Sequence, residues 1–140
     1  MILLDTHIWF WWVQGHKRLD KSVIEHMDKL SIEGFTISAI SCWEIALLYS
    51  KDRVSIPCQL DEWFDKALAY PGITEEVISR EIAIEATRIP QPFHADPADR
   101  ILVSTSRLLS IPLLTADKRI LAYDHVQSIS PKSLTNHPVT

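Results

Sequence analysis

The sequence predicts an α/β fold in three layers, with helices on both faces of a central, mainly parallel sheet of four or five short strands. Short apolar runs alternate along the chain with longer segments whose apolar residues have helical spacing. Acidic residues directly follow several of the apolar runs. Strands that alternate with helices form parallel sheets with right-handed crossovers, and ligands bind at the carboxyl edge of such sheets.

The predicted elements follow from apolar spacing and from the turn residues between them. In chain order, the strands are residues 2–4, 35–37, 73–78, 111–115 and 126–129. The helices are a segment around Trp9 and residues 20–32, 39–49, 60–69, 80–89, 97–109 and 118–122.

In the N-terminal half, the first strand is the apolar run ILL. The helix at residues 20–32 carries Val23, Met27 and Leu30 on one face, and Gly34 ends it. The second strand leads into a helix that is apolar nearly all round, so we expect that helix to be buried. Pro57 separates it from the next helix.

In the C-terminal half, Pro71-Gly72 forms a turn before the third strand. This strand is the most polar of the five, and we expect it near an edge of the sheet. A proline-rich loop, IPQPFHADP, leads into the helix at Pro97, and proline suits the first helical position. The fourth strand precedes a short helix that starts after Asp117.

The composition indicates a single domain over residues 1–140. The chain is 46% hydrophobic and has only three glycines, which excludes a disordered chain. Its formal net charge is −4, whereas nucleic-acid binders are more often basic. Several of the acids belong to one candidate site, where a bound metal offsets them, so the charge does not exclude nucleic acid as a ligand.

Neither the cysteines nor the N-terminus indicate secretion or a membrane. Cys42 and Cys58 form neither a CxxC pair nor a metal-ligand pattern. The start, MILLDTHIWFWW, carries an acid and no basic region, and it is too short to span a bilayer. We therefore expect a cytoplasmic protein without a membrane partner.

Four acidic residues stand near the starts of predicted helices: Asp5, Glu44, Asp99 and Asp117. If they meet at the carboxyl edge of the sheet, their charges repel one another. A divalent cation held by oxygen ligands relieves that repulsion, which predicts a Mg²⁺ or Mn²⁺ site. Metal-dependent hydrolysis of a phosphodiester uses such a set of groups.

Each acid also fits a structural role. Asp5 and Asp117 can cap the helices that follow them, and Asp96 is a good cap for the helix that starts at the next residue. Glu44 can close a capping box with Ser41. However, Glu44 has no basic residue three or four positions away, and a buried carboxylate needs a partner. Separate caps do not explain why all four acids fall at one edge, so we favour the metal site.

The segments LLDTHIW, SAISCWEIA, HADPADRILVSTS and PLLTADKRI together resemble the PIN domains, a family of nucleases. Within it they look most like the VapC-type toxins with an H-x-D-P-x-D-R segment, and the resemblance spans the whole chain. It implies a Mg²⁺- or Mn²⁺-dependent ribonuclease, usually dimeric, that acts on RNA and is inhibited by a small cognate antitoxin. The acidic quartet of the family falls on Asp5, Glu44, Asp99 and Asp117, with Asp5 and Asp99 as the main metal ligands.

Other residues near the quartet are candidates for supporting roles at the site. Asp96 is then an accessory acid. Thr6 and Thr115 flank the acids, where they either orient metal ligands or are ordinary turn and strand residues. Arg100 and Lys118 neighbour quartet acids, and we expect them to bind RNA phosphates.

The sequence does not assign a role to two further features, a pair of histidines and an aromatic run. His7 and His94 lie near the acids, but the quartet requires neither of them. The four rings of Trp9, Phe10, Trp11 and Trp12 cannot all face one core. We expect some of these rings to pack inside and others to form a dimer or antitoxin surface.

Three other functions fit parts of the pattern. A haloacid-dehalogenase-type phosphatase also starts with an acid after the first strand, but it needs D-x-D where this chain has Asp5-Thr6-His7. A metal-binding signalling module of the receiver type needs paired acids on the first strand, which are absent from the sequence. A PIN-type nuclease of RNA maturation without an antitoxin shares the site, and genomic context separates it from a toxin.

Overall fold

The computed structural model describes residues 1–136 and contains a five-stranded sheet in which every pairing is parallel. The strands are β1 (Ile2–Leu4), β2 (Phe35–Ser38), β3 (Ile73–Glu76), β4 (Leu113–Leu114) and β5 (Ser128–Ile129), in the order β3-β2-β1-β4-β5. The α/β prediction is confirmed, and the polar strand β3 lies at an edge. The last four positions of the predicted 1–140 domain lie outside the described residues.

Within residues 1–136, helices cover most of the chain between the strands. They are α1 (Thr6–Gln14), α2 (Lys21–Leu30), α3 (Ala39–Ser50), α4 (Leu60–Leu68), α5 (Arg80–Glu85), α6 (Pro97–Leu109), α7 (Lys118–Leu121) and α8 (Pro131–Leu134). Of these, α8 is absent from the sequence prediction. It is a single turn that the Ser130 side chain caps. None of these helices is long and apolar enough to cross a membrane.

Three strands are shorter than the sequence predicts, because a strand extends only as far as its partner. The predicted strand over residues 126–129 shrinks to β5, which pairs with the two residues of β4. The predicted strand over residues 111–115 shrinks to β4, whose residues pair with Leu3 and Leu4 of the three-residue β1. The predicted strand over residues 73–78 ends at Glu76, which pairs with the last residue of β2.

Side chains of β1 point alternately to the two faces of the sheet, and each face has its own hydrophobic core. Ile2 and Leu4 pack with α1, α2 and α4, whereas Leu3 packs with residues of α6 and α7. The molecule therefore has the three layers that the sequence predicts.

Helix α1 buries more of its aromatic run than we expected. Trp9, Phe10 and Trp12 are 0%, 8% and 6% exposed, and only Trp11 stays partly exposed. The buried rings contact other rings, among them Trp63, whose ring centre lies 5.4 Å from that of Trp9. The expected division of the rings therefore leaves one ring, Trp11, for a surface, because aromatic residues of α4 help to cover α1.

Helix α3 is less buried than its apolar sequence predicts. Ser41 and Ile45 are its buried residues, whereas Trp43 is 56% exposed. The helix packs against α1 and α6, so only one stripe of it meets the core. The prediction of full burial is wrong here, and Glu44 is consequently half-buried.

Candidate active site

Asp5 lies where β1 ends and α1 begins, and both of its carboxylate oxygens are hydrogen-bonded. Its N–H donates to the Leu114 carbonyl at 2.9 Å, which fixes the chain as it leaves the sheet. Oδ1 accepts from the Thr6 N–H at 2.7 Å, and Oδ2 accepts from the Thr115 hydroxyl at 2.6 Å. Burial raises the pKa of Asp5, and the hydrogen bonds from Thr115 and Thr6 offset that rise only in part. The carboxylate is oriented, and a nearby cation would stabilise its charge.

Thr115 connects two of the acids at the end of β4. Its hydroxyl donates to Asp5 Oδ2 and accepts from the Asp117 N–H at 3.0 Å. Asp117 in turn caps α7, because its Oδ1 accepts from the Arg119 N–H at 2.8 Å. A hydroxyl has one proton and two lone pairs, so it can serve both acids at once. The structure therefore places Thr115 where it orients the acids.

Glu44 lies in the second turn of α3, and Thr6 holds it. The Thr6 hydroxyl donates to Glu44 Oε1 at 2.5 Å and lies 2.8 Å from the Ser41 hydroxyl. The capping box of Ser41 and Glu44 is not formed, because the cap of α3 is Ser38, whose hydroxyl accepts from the Ile40 N–H. Burial raises the pKa of Glu44, and the hydrogen bond from Thr6, which lowers the pKa, offsets that rise only in part.

Asp99 is the most perturbed of the acids. It lies in the first turn of α6 and is 7% exposed. Burial, together with the charges of Asp96 and Asp5, raises its pKa to about 8. Its Oδ2 is buried and accepts no hydrogen bond from any residue that the structure describes. A buried carboxylate oxygen without a donor is costly, so Asp99 needs a positive charge nearby.

His94 comes from the proline-rich loop, and its ring faces Asp99. Its Nδ1 accepts from the Asp96 N–H at 3.3 Å, and burial lowers the pKa of the ring. Its Nε2 lies 3.2 Å from Asp99 Oδ2 without the alignment of a hydrogen bond. The sequence left His94 without a role, and its position in the H-x-D-P-x-D-R segment was the only signal for it. His7, by contrast, is exposed at the rim of the pocket.

Of the adjacent residues Lys118 and Arg119, it is Arg119 that lines the acidic pocket. Its Nη2 lies 3.1 Å from Asp117 Oδ2 and 3.5 Å from Asp99 Oδ2. Partial burial alone would raise the pKa of Asp117, but hydrogen bonds from the Arg119 side chain and backbone hold it below its usual value. Lys118, which we expected at the site, is exposed and does not line the pocket. The sequence did contain one signal for Arg119. Asp117 is a helix cap, and such a cap brings the second residue of the helix, Arg119, back toward the capping carboxylate.

Arg100 does not face the acids, and its expected phosphate contact needs correction. Its Nε donates to the Ala86 carbonyl at 2.9 Å. One of its terminal nitrogens, Nη1, donates to the carbonyls of Phe93 and His94. These bonds hold the proline-rich loop against α6. Arg100 therefore has a structural role, since its Nε and Nη1 are directed at the backbone of its own chain.

The acids meet in one open pocket of about 370 Å³. Its lining includes Asp5, Glu44, Asp96, Asp99, Asp117 and Arg119. Carboxylate oxygens are the ligands that Mg²⁺ and Mn²⁺ prefer, and the buried Asp99 oxygen without a donor can accept such an ion. Within residues 1–136, no group of three acidic, histidine or cysteine side chains is arranged to hold a metal ion as it stands. The donor set fits a divalent cation, which would take the place that the Arg119 guanidinium now fills.

Comparison with known proteins gives the same family that the residues resemble. The PIN domain family matches residues 2–126. Ribonuclease VapC22 of Mycobacterium tuberculosis is 28% identical over 132 residues, which cover 92% of this chain and 96% of that protein.

Solved structures share the fold at low identity. VapBC2 from Rickettsia felis, bound to a DNA fragment from its promoter, superposes with a TM-score of 0.70 at 17% identity, covering 93% of this chain and 98% of that one. A toxin–antitoxin complex from Klebsiella pneumoniae gives a TM-score of 0.64 at 18% identity, covering 94% and 98% of the two chains. Because the family match spans almost the whole chain, and because its four acids meet at one edge of a parallel sheet, the chain belongs to the PIN domain family.

Proposed function

We propose that this protein is a Mg²⁺- or Mn²⁺-dependent endoribonuclease and the toxin of a type II toxin–antitoxin pair. The observation that carries the proposal is the meeting of Asp5, Glu44, Asp99 and Asp117 in one pocket of a PIN domain. The similarity to Ribonuclease VapC22 supports RNA as the substrate. We also propose that the chain belongs to the subgroup of VapC-type toxins with an H-x-D-P-x-D-R segment, a proposal that residues 94–100 support.

The proposed ligands follow from burial and from the existing hydrogen bonds. Asp5 and Asp99 are the main candidates, because they are the two buried members of the quartet and a cation would stabilise their charged forms. Glu44 and Asp117 complete the set directly or through water. A bound divalent ion lowers the pKa of its water and neutralises charge on a phosphodiester. Arg119, whose side chain is 60% exposed, can hold a phosphate oxygen beside the acids.

An antitoxin is the proposed protein partner. Structural neighbours include VapBC2 from Rickettsia felis, VapBC from Salmonella typhimurium and the toxin–antitoxin complex from Klebsiella pneumoniae. From these neighbours we propose that a small cognate antitoxin binds this chain. From the family resemblance we propose that the antitoxin inhibits it and that the free toxin is a homodimer. A small overlapping reading frame beside the gene would support the toxin over a nuclease of RNA maturation.

Cleavage of RNA by the purified protein, freed of any antitoxin, tests the proposal. We expect cutting with Mg²⁺ or Mn²⁺ and none with EDTA. Asp99→Asn should abolish cutting, whereas Asp96→Asn should keep most of it, because asparagine also caps a helix well. Asp65→Asn, on an exposed face of α4, controls for the loss of one charge. Equal cleavage with and without chelator would exclude the metal mechanism.

A further inference from the structure

A second groove, of about 630 Å³, opens beside the acidic pocket. One wall is the end of α1 and the turn after it, with Trp11, Lys17 and Arg18, and the other is the segment after α3, with Arg53 and Val54. His7, Trp11 and Arg18 line both the groove and the acidic pocket. The two depressions therefore adjoin each other at these three residues.

The groove is positively charged in a protein whose net charge is −4. Lys17, Arg18 and Arg53 line it, and none of its lining residues is acidic. All three side chains are exposed, and in residues 1–136 none of them forms an ion pair with a carboxylate. Cations that the protein does not itself neutralise are free to bind an anionic ligand.

An aromatic ring stands among these cations. Trp11 is the ring of the α1 run that stays partly exposed. The Arg18 guanidinium lies 5.7 Å from its ring centre, and His16 stacks on it at 6.1 Å. Packing of the turn after α1 accounts for the contact with His16, but it does not account for the exposed cations along the groove. An aromatic face among basic side chains suits single-stranded nucleic acid, because its bases stack on aromatic rings and its phosphates pair with basic side chains.

We propose that this groove binds the single-stranded RNA segment next to the phosphate that is cut. Arg18 and Arg53 bind backbone phosphates, and the Trp11 ring stacks on a base. The inference rests on the proposed function, since it takes RNA as the substrate and the acidic pocket as the place of cleavage. It adds a substrate-binding surface whose contacts are electrostatic and tolerant of base sequence.

Binding of a labelled, mixed-sequence RNA 12-mer to Asp99→Asn protein tests the phosphate contacts without cleavage. Adding Arg18→Ala and Arg53→Ala together should weaken binding at least tenfold. It should also lower the slope of log affinity against log salt by about 1.4, since each phosphate contact on a single strand contributes about 0.7. The matched control is Arg80→Ala with Arg88→Ala, two exposed arginines that line neither depression. The control should leave both affinity and slope unchanged.

Two conservative changes test the stacking ring. Trp11→Phe keeps an aromatic face, whereas Trp11→Leu keeps apolar packing without one, so both variants should fold. We expect Trp11→Leu to weaken RNA binding about tenfold with an unchanged salt slope, and Trp11→Phe to lose much less. Equal affinities of the two variants would overturn the assignment of the ring.

The outcomes separate this proposal from the proposed function. If wild-type protein cuts RNA but the Arg18 and Arg53 double variant binds RNA as tightly as the control, the groove is not the RNA site. If that double variant loses affinity for the antitoxin alone, the groove is a protein-binding surface and the proposal is also overturned. If wild-type protein neither binds nor cuts RNA, the proposed function itself fails.

Discussion

The Thr115 hydroxyl serves two of the four acids at once, since it donates to Asp5 and accepts from the N–H of Asp117. Thr115→Val keeps the shape of the side chain but leaves both of these groups without a partner. We expect a loss of about 1–3 kcal/mol in unfolding free energy, typical of unpaired buried polar groups, and at least tenfold slower RNA cleavage. Thr115→Ser keeps the hydroxyl and should stay close to wild type. If valine and serine behave alike, the hydroxyl does not orient the acids.

The Arg119 guanidinium pairs with Asp117 and Asp99, where a divalent ion would also bind. Removing it should therefore strengthen metal binding. Arg119→Ala should bind Mn²⁺ roughly 3- to 10-fold more tightly in calorimetry, because the acids no longer pair with the guanidinium. Lys118→Ala removes the same charge from the neighbouring residue, which is exposed and does not line the acidic pocket, and should change the affinity little. Weaker Mn²⁺ binding by Arg119→Ala would show that Arg119 supports the metal instead of competing with it.

At the scale of elements, the turn into β3 depends on one glycine. Gly72 has φ +86°, and a Cβ there would lie 1.8 Å from the Ser31 carbonyl oxygen. Its own carbonyl accepts from the Phe35 N–H at the start of β2, so the backbone cannot easily move away. Gly15 also has a positive φ of +60°, but a Cβ there meets nothing within 4 Å.

These two glycines give a matched pair of substitutions. Gly15→Ala should cost only the left-handed backbone penalty, about 1–2 kcal/mol. Gly72→Ala adds a clash with backbone, and we expect it to cost at least ~2 kcal/mol more, as in overpacked sites. Urea unfolding of both variants measures the difference. Similar losses of unfolding free energy in the two variants would mean that the backbone at residues 31–34 moves aside at little cost.

Much of the fold could be predicted from the sequence because each element carries its own signal. The apolar run before Asp5 and the Pro97 helix start are local features, and parallel pairing then brings the residues after the strands to one edge. The sequence carries no such local signal for the direction in which an individual side chain points. Lys118 and Arg119 are adjacent and chemically alike, and only the cap geometry of Asp117 turns Arg119 toward the pocket.

Other features of the site depended on how distant segments pack. Arg100 turns to the Ala86 carbonyl, which the sequence could not place beside α6. His94 reaches Asp99 because of the path of a proline-rich loop, which has no periodicity to read. The burial of Trp9 likewise depended on Trp63, more than fifty residues away.

For the molecule as a whole, four acids from four separate segments share one pocket in a protein of net charge −4. Without metal, folding brings these like charges together, and the pKa values of Asp5, Glu44 and Asp99 are all raised by burial. A raised carboxyl pKa means that the folded state holds a proton that the unfolded chain has already released. Stability in chelator should therefore fall as pH rises between the unfolded and folded pKa values.

The pH dependence of Asp99 has a definite sign. Its pKa rises from 3.8 to about 8 on folding, so its unfavourable contribution grows across that interval and is complete above it. Asp99→Asn cannot ionise. In chelator, the stability advantage of Asp99→Asn over wild type should therefore be larger at about pH 9 than at about pH 5. Urea unfolding at both pH values measures it, and Asp65→Asn should show no such change.

The most direct test of a shared metal site is the melting temperature of wild type and Asp99→Asn, each with chelator and with saturating Mg²⁺ or Mn²⁺. In chelator, the variant should melt at the higher temperature, because it lacks one of the repelling charges. With metal the order should reverse, since the variant has also lost a ligand. A ligand that binds only the folded state adds roughly 2.7 kcal/mol at a hundredfold excess over its Kd. If wild type is the more stable protein in chelator, and metal changes neither melting temperature, the acids are separate helix caps and not a metal site.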